Sequence, residues 1–147
     1  MTRIAPIASL CALLWLIPCG CAHRSDTITS NQRAYEKMEA ETERAIELER
    51  RADVVVDYEG ADRIRLWTPG QAAYISATDE TLAAALAGAT LKRELALVII
   101  GPPVRHAFSE QQLRTKVDSI EAILKGQGFS RVVFHLASAF GRTIYRE

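Results

Sequence analysis

The amino-acid sequence predicts an α/β protein, a two-layer α+β sandwich in which two helices cover a mixed sheet of four to five strands. The first observation is the segment from Leu95 to Ile100, which has no polar residue and therefore the composition of a strand covered on both faces. The second is a pair of helix-start signals at Thr78 and Ser109, one on each side of that strand. Together they predict a strand-helix-strand crossover with parallel strands at the centre of the sheet.

The remaining elements follow from alternating apolar residues and from turn residues. Arg63–Trp67 alternates polar and apolar side chains, so we expect it to pair as a hairpin with the strand at 54–58. The glycines at 126 and 128 end the helix that follows Ser109. The predicted order is β-β-(β)-α-β-α-β-β. Its segments are strands at 54–58 and 63–67, a short third one within 71–77, a helix over 79–93, the strand at 95–100, a helix from 109, and strands at 132–136 and 143–145.

Residues 1–20 have the three parts of an export signal. Arg3 supplies the positive start, an apolar run follows from Ile4 to Ile17, and Gly20 is the small residue at the exit. The apolar run has about 14 residues, whereas a helix that spans a membrane needs about 20. We therefore expect residues 1–20 to be a signal peptide and not a permanent transmembrane anchor.

The residues Pro18-Cys19-Gly20-Cys21-Ala22 resemble the bacterial lipobox, in which a small residue precedes a cysteine that receives diacylglycerol. Cys21 is the expected lipidation site, because Gly20 fits the narrow position before the cut better than Pro18 does. An ordinary secretory signal is the alternative. The resemblance implies a lipid-anchored envelope protein. The lack of an aspartate directly after Cys21 favours the outer membrane, facing the periplasm, over the inner membrane.

Composition narrows the function classes. All three cysteines lie in residues 1–21, so the folded part has no disulfide, no thiol nucleophile and no thiolate metal site. The 18 basic residues equal the 18 acidic residues, which gives none of the clustered positive charge that nucleic-acid binding requires. The three histidines are scattered without metal-ligand spacing. We therefore predict no cofactor, no metal and no nucleic-acid partner.

Two segments are predicted between the lipidation site and the domain. Residues 21–33 are polar and are expected to form a solvated tether. Residues 34–52 are strong helix formers rich in Glu and Arg, which predicts a charged spacer helix. Its apolar positions follow a spacing near 3.5 that Glu41 interrupts, so a coiled coil is the alternative to a solvated helix. Residues 53–147 hold the apolar runs and are predicted to form one small α/β domain.

Three short segments carry a family resemblance: Thr78-Asp79-Glu80-Thr81-Leu82, Leu97-Val98-Ile99-Ile100 and Gly128-Phe129-Ser130-Arg131-Val132. With them, residues 54–137 resemble the periplasmic domain of the ExbD/TolR family of ion-driven energy-transduction proteins. That family has an N-terminal transmembrane helix with a proton-coupled aspartate, whereas this chain has no acidic residue before Asp26. The resemblance implies a non-catalytic envelope domain that dimerises or binds a protein or peptidoglycan, without the ion-coupling role.

The segment 101–106 is the best candidate for a ligand site, because open α/β sheets bind ligands at the carboxyl ends of their strands. Arg105 and His106 are its candidate binding residues, and a rigid connection to the next helix is the alternative. His135 lies in a predicted strand, and the chain has no Gly-x-Ser-x-Gly motif. We therefore expect His135 to be partly buried and hydrogen-bonded. No catalytic residue is assigned, and the protein is not predicted to be an enzyme.

Two further positions are candidates for binding. Trp67 lies beside a Pro-Gly turn and would offer a stacking platform for sugar rings, unless it packs on the core. Ile144 and Tyr145 lie in the terminal strand, which is predicted to be a free edge open to strand addition. The leading hypothesis is an envelope interaction module that binds a protein partner or a second copy. A peptidoglycan or glycan binder and a small hydrolase are the alternatives.

Overall fold

The computed structural model describes residues 22–147, with side chains described from residue 29 onward. The predicted signal peptide and Cys21 lie outside the described residues. The α/β class is confirmed. The elements in chain order are α1 (Ala22–Arg51), β1 (Val54–Tyr58), β2 (Ile64–Trp67), β3 (Tyr74–Ala77), α2 (Asp79–Ala87), β4 (Leu95–Ile100), α3 (Pro102–Ala107), α4 (Glu110–Gly126), β5 (Arg131–Ser138) and β6 (Gly141–Arg146).

The strands form one sheet in the order β3-β2-β1-β4-β5-β6. β1, β4 and β5 are parallel to one another, while β2, β3 and β6 join them by antiparallel pairing. The described chain therefore has six strands and four helices, where four to five strands and two helices with a spacer were expected. The prediction that Leu95–Ile100 is a central strand is confirmed, and so is the β1-β2 hairpin.

The predicted start of α4 is also confirmed. The hydroxyl of Ser109 accepts a hydrogen bond from the backbone N–H of Gln112 at 3.2 Å, and the Gln112 side chain accepts one from the Ser109 N–H at 2.8 Å. This reciprocal cap satisfies two amides that no helical carbonyl reaches. α2 is shorter than predicted, because it ends at Ala87 before Gly88 instead of continuing to residue 93. Glycine in a helix interior is destabilising by about 1 kcal/mol relative to alanine.

The sheet has helices on both faces, which corrects the predicted two-layer sandwich to three layers. α2 and α4 pack on one face, where Leu82, Leu86 and the apolar side of α4 meet the sheet. α1 packs on the other face. There Leu48 and Ala52 share a cluster with four strand residues: Val55, Leu97, Ile99 and Val133. Parallel strands are apolar on both faces, so both need a cover. The segment predicted as a solvated spacer supplies the second one.

α1 begins at Ala22 instead of residue 34, so the predicted tether residues 22–33 are helical. No proline or glycine interrupts residues 22–52, so nothing in the sequence stops the helix of residues 34–52 from continuing upstream. Residues 29–37 are all exposed. Within residues 22–147, no helix combines the length and the apolar character that crossing a membrane requires.

α1 runs antiparallel to the central strands. Its end lies at the amino end of β4, where the Asp53 N–H donates to the Leu95 carbonyl at 2.8 Å. Its middle lies at the β5-β6 turn, beside Gly141, which has a φ of +144°. A Cβ atom on Gly141 would lie 2.6 Å from the Thr42 hydroxyl, so glycine permits both the turn and the close approach of the helix. The first half of α1 therefore projects past the carboxyl edge of the sheet.

Leu48→Ala is predicted to lower the free energy of unfolding by about 3 kcal/mol, because Leu48 is 7% exposed and packs on the central strands. Ile46, two residues earlier, is 43% exposed and provides a matched control. Ile46→Ala is expected to change stability by less than about 0.5 kcal/mol. Urea unfolding followed by circular dichroism measures both. Equal effects of the two substitutions would show that α1 is not docked on the sheet.

Candidate functional site

Arg105 and His106, which were predicted to bind a ligand, lie in the segment directly after the central strand β4. The segment 102–107 is a short helix, α3, anchored to the core by the buried Val104. Arg105 and His106 are both exposed on it. No hydrogen bond or ion pair joins either side chain to another described residue. The structure therefore shows this segment as a helical connection into α4, with two polar side chains in solvent.

The cleft at the carboxyl edge of β1 is formed by residues that were not predicted to bind a ligand. Asp79, at the start of α2, accepts a hydrogen bond from the Tyr58 hydroxyl at 2.8 Å. Its second carboxylate oxygen binds the Lys116 ammonium of α4 at 2.7 Å. Lys116 also donates to the Ala61 carbonyl at 3.0 Å. Lys116 thus joins α4 to the start of α2 and to the β1-β2 turn.

The electrostatics of this cleft favour a structural role. The Lys116 side chain is 12% exposed, and its ammonium lies 4.8 Å from the centre of the Tyr58 ring and 5.5 Å from that of Phe108. Aromatic faces and a carboxylate both stabilise a buried cation. Burial, together with the hydrogen bond to Asp79, raises the pKa of the Tyr58 hydroxyl far above its usual value. A proton held this firmly is not available for acid–base chemistry near neutral pH.

A second polar surface surrounds Trp67, on the face of the sheet that carries α1. The Arg65 guanidinium lies 5.4 Å from the centre of the Trp67 ring and 5.6 Å from that of Tyr74 on β3. The same guanidinium contacts Asp57 and Glu59, each at 3.3 Å. Burial raises the pKa of the Asp57 carboxyl, and the hydrogen bond and charge of Arg65 oppose that shift. Arg65 therefore covers ring surface that a sugar would need for stacking.

The two outer strands of the sheet differ in how their side chains are held. Ile144 and Tyr145 of β6 are half-buried, Ile144 against the α1 cluster and Tyr145 against the α4 cluster. The prediction that this strand is an edge is confirmed, but these two side chains contribute to the core. At the other edge, Tyr74 and Ile75 of β3 are 61% and 52% exposed. We call the strand Tyr74–Ala77 with its unpaired side the β3 edge.

His135 is fully buried beneath α1, and neither of its ring nitrogens has a hydrogen-bond partner among the described residues. This corrects the expectation of a partly buried, hydrogen-bonded histidine. Burial is the main cause that lowers its pKa to about 4, and the nearby Arg142 adds to the shift while Glu147 and Glu49 oppose it. The imidazole is therefore neutral near pH 7 and out of reach of any substrate.

Among residues 22–147, no group of three or more His, Cys, Asp or Glu side chains is arranged to hold a metal ion. Comparison with protein-family models, with curated proteins and with solved structures finds no match. The lipobox and ExbD/TolR resemblances therefore stay predictions that depend on the residues quoted above.

The buried neutral His135 predicts a specific loss of stability in acid. The unfolded chain binds a proton at the ordinary histidine pKa of about 6.5, whereas the folded chain does so only near pH 4. Stability therefore falls as the pH drops below about 6.5, by about 3 kcal/mol at pH 4. His135→Leu is expected to remove that part of the pH dependence, measured by urea unfolding between pH 4 and 7.5.

His106→Leu is the control for this measurement, because it removes a histidine that is exposed and takes no part in the core. At each pH, the free energy of unfolding of a variant is compared with that of the original chain. The contribution of the carboxylates that titrate in the same range is common to both and cancels in the difference. An acid response that His135→Leu leaves unchanged would contradict the buried, neutral state of this side chain.

Proposed function

We propose that the protein is a lipid-anchored component of the bacterial cell envelope whose α/β domain acts as a non-catalytic docking module for another protein. The anchor is assigned to Cys21, behind a signal peptide over residues 1–20. The outer membrane, with the domain facing the periplasm, is the proposed location. The ExbD/TolR resemblance supports the same class of role without ion coupling, because this chain has no acidic residue within its apolar leader.

The course of α1 is the observation that carries this proposal. The helix begins at Ala22, the residue after the proposed lipidation site, and continues to Arg51. Its second half is packed on the sheet through Leu48, and Ala45 one turn earlier is fully buried. An anchor at Cys21 would thus be joined to the core by one continuous helix and not by a flexible linker. Such an arm suits a domain that is displayed to a partner in a defined orientation.

The side chains that catalysis or glycan binding would need are engaged within the domain, which favours the docking function. His135 is sealed beneath α1, so it does not support the small-hydrolase alternative. Lys116 is bound to Asp79 and Ala61 in a closed network. Arg65 stacks over Trp67, which leaves less ring surface for a peptidoglycan or glycan ligand. Exposed apolar side chains at the β3 edge are the feature that a protein partner would use.

Cys21→Ser is predicted to abolish incorporation of a fatty-acid analogue by cells and to move the protein from the membrane fraction to the soluble fraction. Cys19→Ser is the matched control, because it removes the neighbouring thiol and keeps the proposed acceptor. It is expected to keep the label. If Cys21→Ser takes the label and Cys19→Ser does not, the lipid is attached to Cys19 and the proposed assignment to Cys21 is wrong. No label in the original chain would favour an ordinary secretory signal.

A further inference from the structure

We propose that the β3 edge binds an extended segment of another envelope protein, which adds to the sheet as a seventh strand. The segment would carry uncharged side chains along the edge and a basic residue at the end nearest Glu80. This inference depends on the proposed docking function and specifies the surface and the chemistry of the partner. Four features of the structure support it: the contrast between the two edges, the charge around β3, its side-chain alternation and the direction of α1.

The two edges of the sheet are protected to different degrees. β6 carries charged side chains that are fastened to both helical layers, with Arg142 bound to Glu49 of α1 and Arg146 bound to Asp118 and Glu121 of α4. Charged side chains on an edge discourage the addition of another strand. β3 has the sequence Tyr-Ile-Ser-Ala and no charge. Its outer backbone groups are therefore the more open template for a new strand.

The surroundings of β3 are also poor in charge. From Gln71 to Leu91, the only charged residues are Asp79 and Glu80. Asp79 is neutralised by Lys116, whereas Glu80 is exposed and has no ion-pair partner among the described residues. The exposed positions of α2 beyond Glu80 are small and uncharged. A partner that matches this surface is uncharged along β3 and basic where it reaches Glu80.

Successive side chains of β3 point to opposite faces of the sheet, so an added strand would find a β3 side chain on each face. Tyr74 lies opposite Trp67 and beside Arg65, on the face that carries α1. Ile75 lies opposite the buried Leu66, on the face that carries α2. Successive side chains of a new strand would therefore meet Tyr74 and Ile75 in turn. Both side chains are more than half exposed at present, so strand addition would remove apolar surface from water on each face.

The direction of α1 disfavours a second copy of this chain as the occupant. β3 is parallel to β1, since it pairs antiparallel with β2, which pairs antiparallel with β1. If the β3 edges of two copies paired in antiparallel fashion, the two domains would be related by a rotation of half a turn about the normal to the sheet. The two α1 helices, and the anchors before them, would then point in opposite directions. Copies anchored in one membrane leaflet are poorly placed for that pairing, whereas a segment of another protein has no such constraint.

The test uses the full lipidated chain, purified in detergent, and a fluorescent probe peptide, Lys-Thr-Val-Thr-Val-Thr-amide. We expect saturable binding in fluorescence anisotropy and slower amide hydrogen exchange at residues 74–77. Ile75→Lys is expected to weaken binding about tenfold, because it places a charge on the edge. Thr143→Lys is the matched control, since Thr143 is an exposed residue on β6. It is expected to leave binding unchanged. Ser76→Lys replaces Ile75→Lys if the latter lowers the melting temperature.

Two peptide controls and one further variant test the chemistry. A peptide with N-methylated backbone amides is expected not to bind, because strand addition needs those donors. A peptide with Glu in place of Lys is expected to bind more weakly than the probe, and Glu80→Lys is expected to reverse that order. Equal binding of the N-methylated peptide, or an equal loss in Thr143→Lys, would overturn the assignment to the β3 edge.

The remaining outcomes separate this inference from the proposed function. If the chain does not bind the probe but forms dimers in sedimentation, and Ile75→Lys abolishes those dimers, the β3 edge binds a second copy of the chain and the proposed partner is wrong. A chain that ignores the probe and stays monomeric would overturn the β3 inference while leaving the Cys21 anchor standing. Probe binding by a chain that takes no lipid label would keep the β3 inference and overturn the anchored function.

Discussion

Burial of the second face of the parallel strands is the constraint on which the rest of this structure depends. β1, β4 and β5 are apolar on both sides, and α2 and α4 cover only one of them. Leu48 of α1 and Ala52, directly after the helix, complete the cover. Ion pairs from Glu49 to Arg142 and from Arg44 to Glu147 lie at its margin. The same packing seals His135 and fixes the direction in which the amino-terminal half of α1 leaves the domain.

The sequence predicted the elements whose signals are local. Leu95–Ile100 has no polar residue, and Ser109 with Gln112 forms a cap from neighbouring side chains, so both were found without knowledge of the fold. The role of α1 was missed because its apolar positions are few and nearly half of them are alanine. A seam of that kind fits a solvated helix, a coiled coil or a docked helix equally well. The choice between them depends on the face of the sheet that α2 and α4 leave uncovered, and that face is known only from the fold.

The candidate site was harder to predict, because its contacts join residues far apart in the chain. Little in the sequence distinguishes Lys116 from the other charged residues of α4, yet it contacts Asp79 and Tyr58 across the cleft. Its position directly before the buried Val117 was the only local hint. Trp67 was predicted to be either a stacking platform or a core residue, and the position of Tyr74 beside Trp67 and Arg65 required knowledge of the β2-β3 register. The difference in protection between the edge strands β3 and β6 likewise could not be predicted, because the order of the strands in the sheet has to be known first.

Because α1 is one continuous helix, it would couple the distance between the core and the proposed anchor at Cys21 to the orientation of the domain. α1 has 30 residues and is about 45 Å long, and the part before Met38 would hold the domain about 24 Å from the start of the helix. Each residue removed from that part would lower the domain by about 1.5 Å and turn it by about 100° about the helix axis. In the proposed lipid-anchored protein, the distance of the domain from the bilayer and its rotation about the helix axis would therefore change together. Only steps of about seven residues would change the distance while leaving the rotation nearly the same.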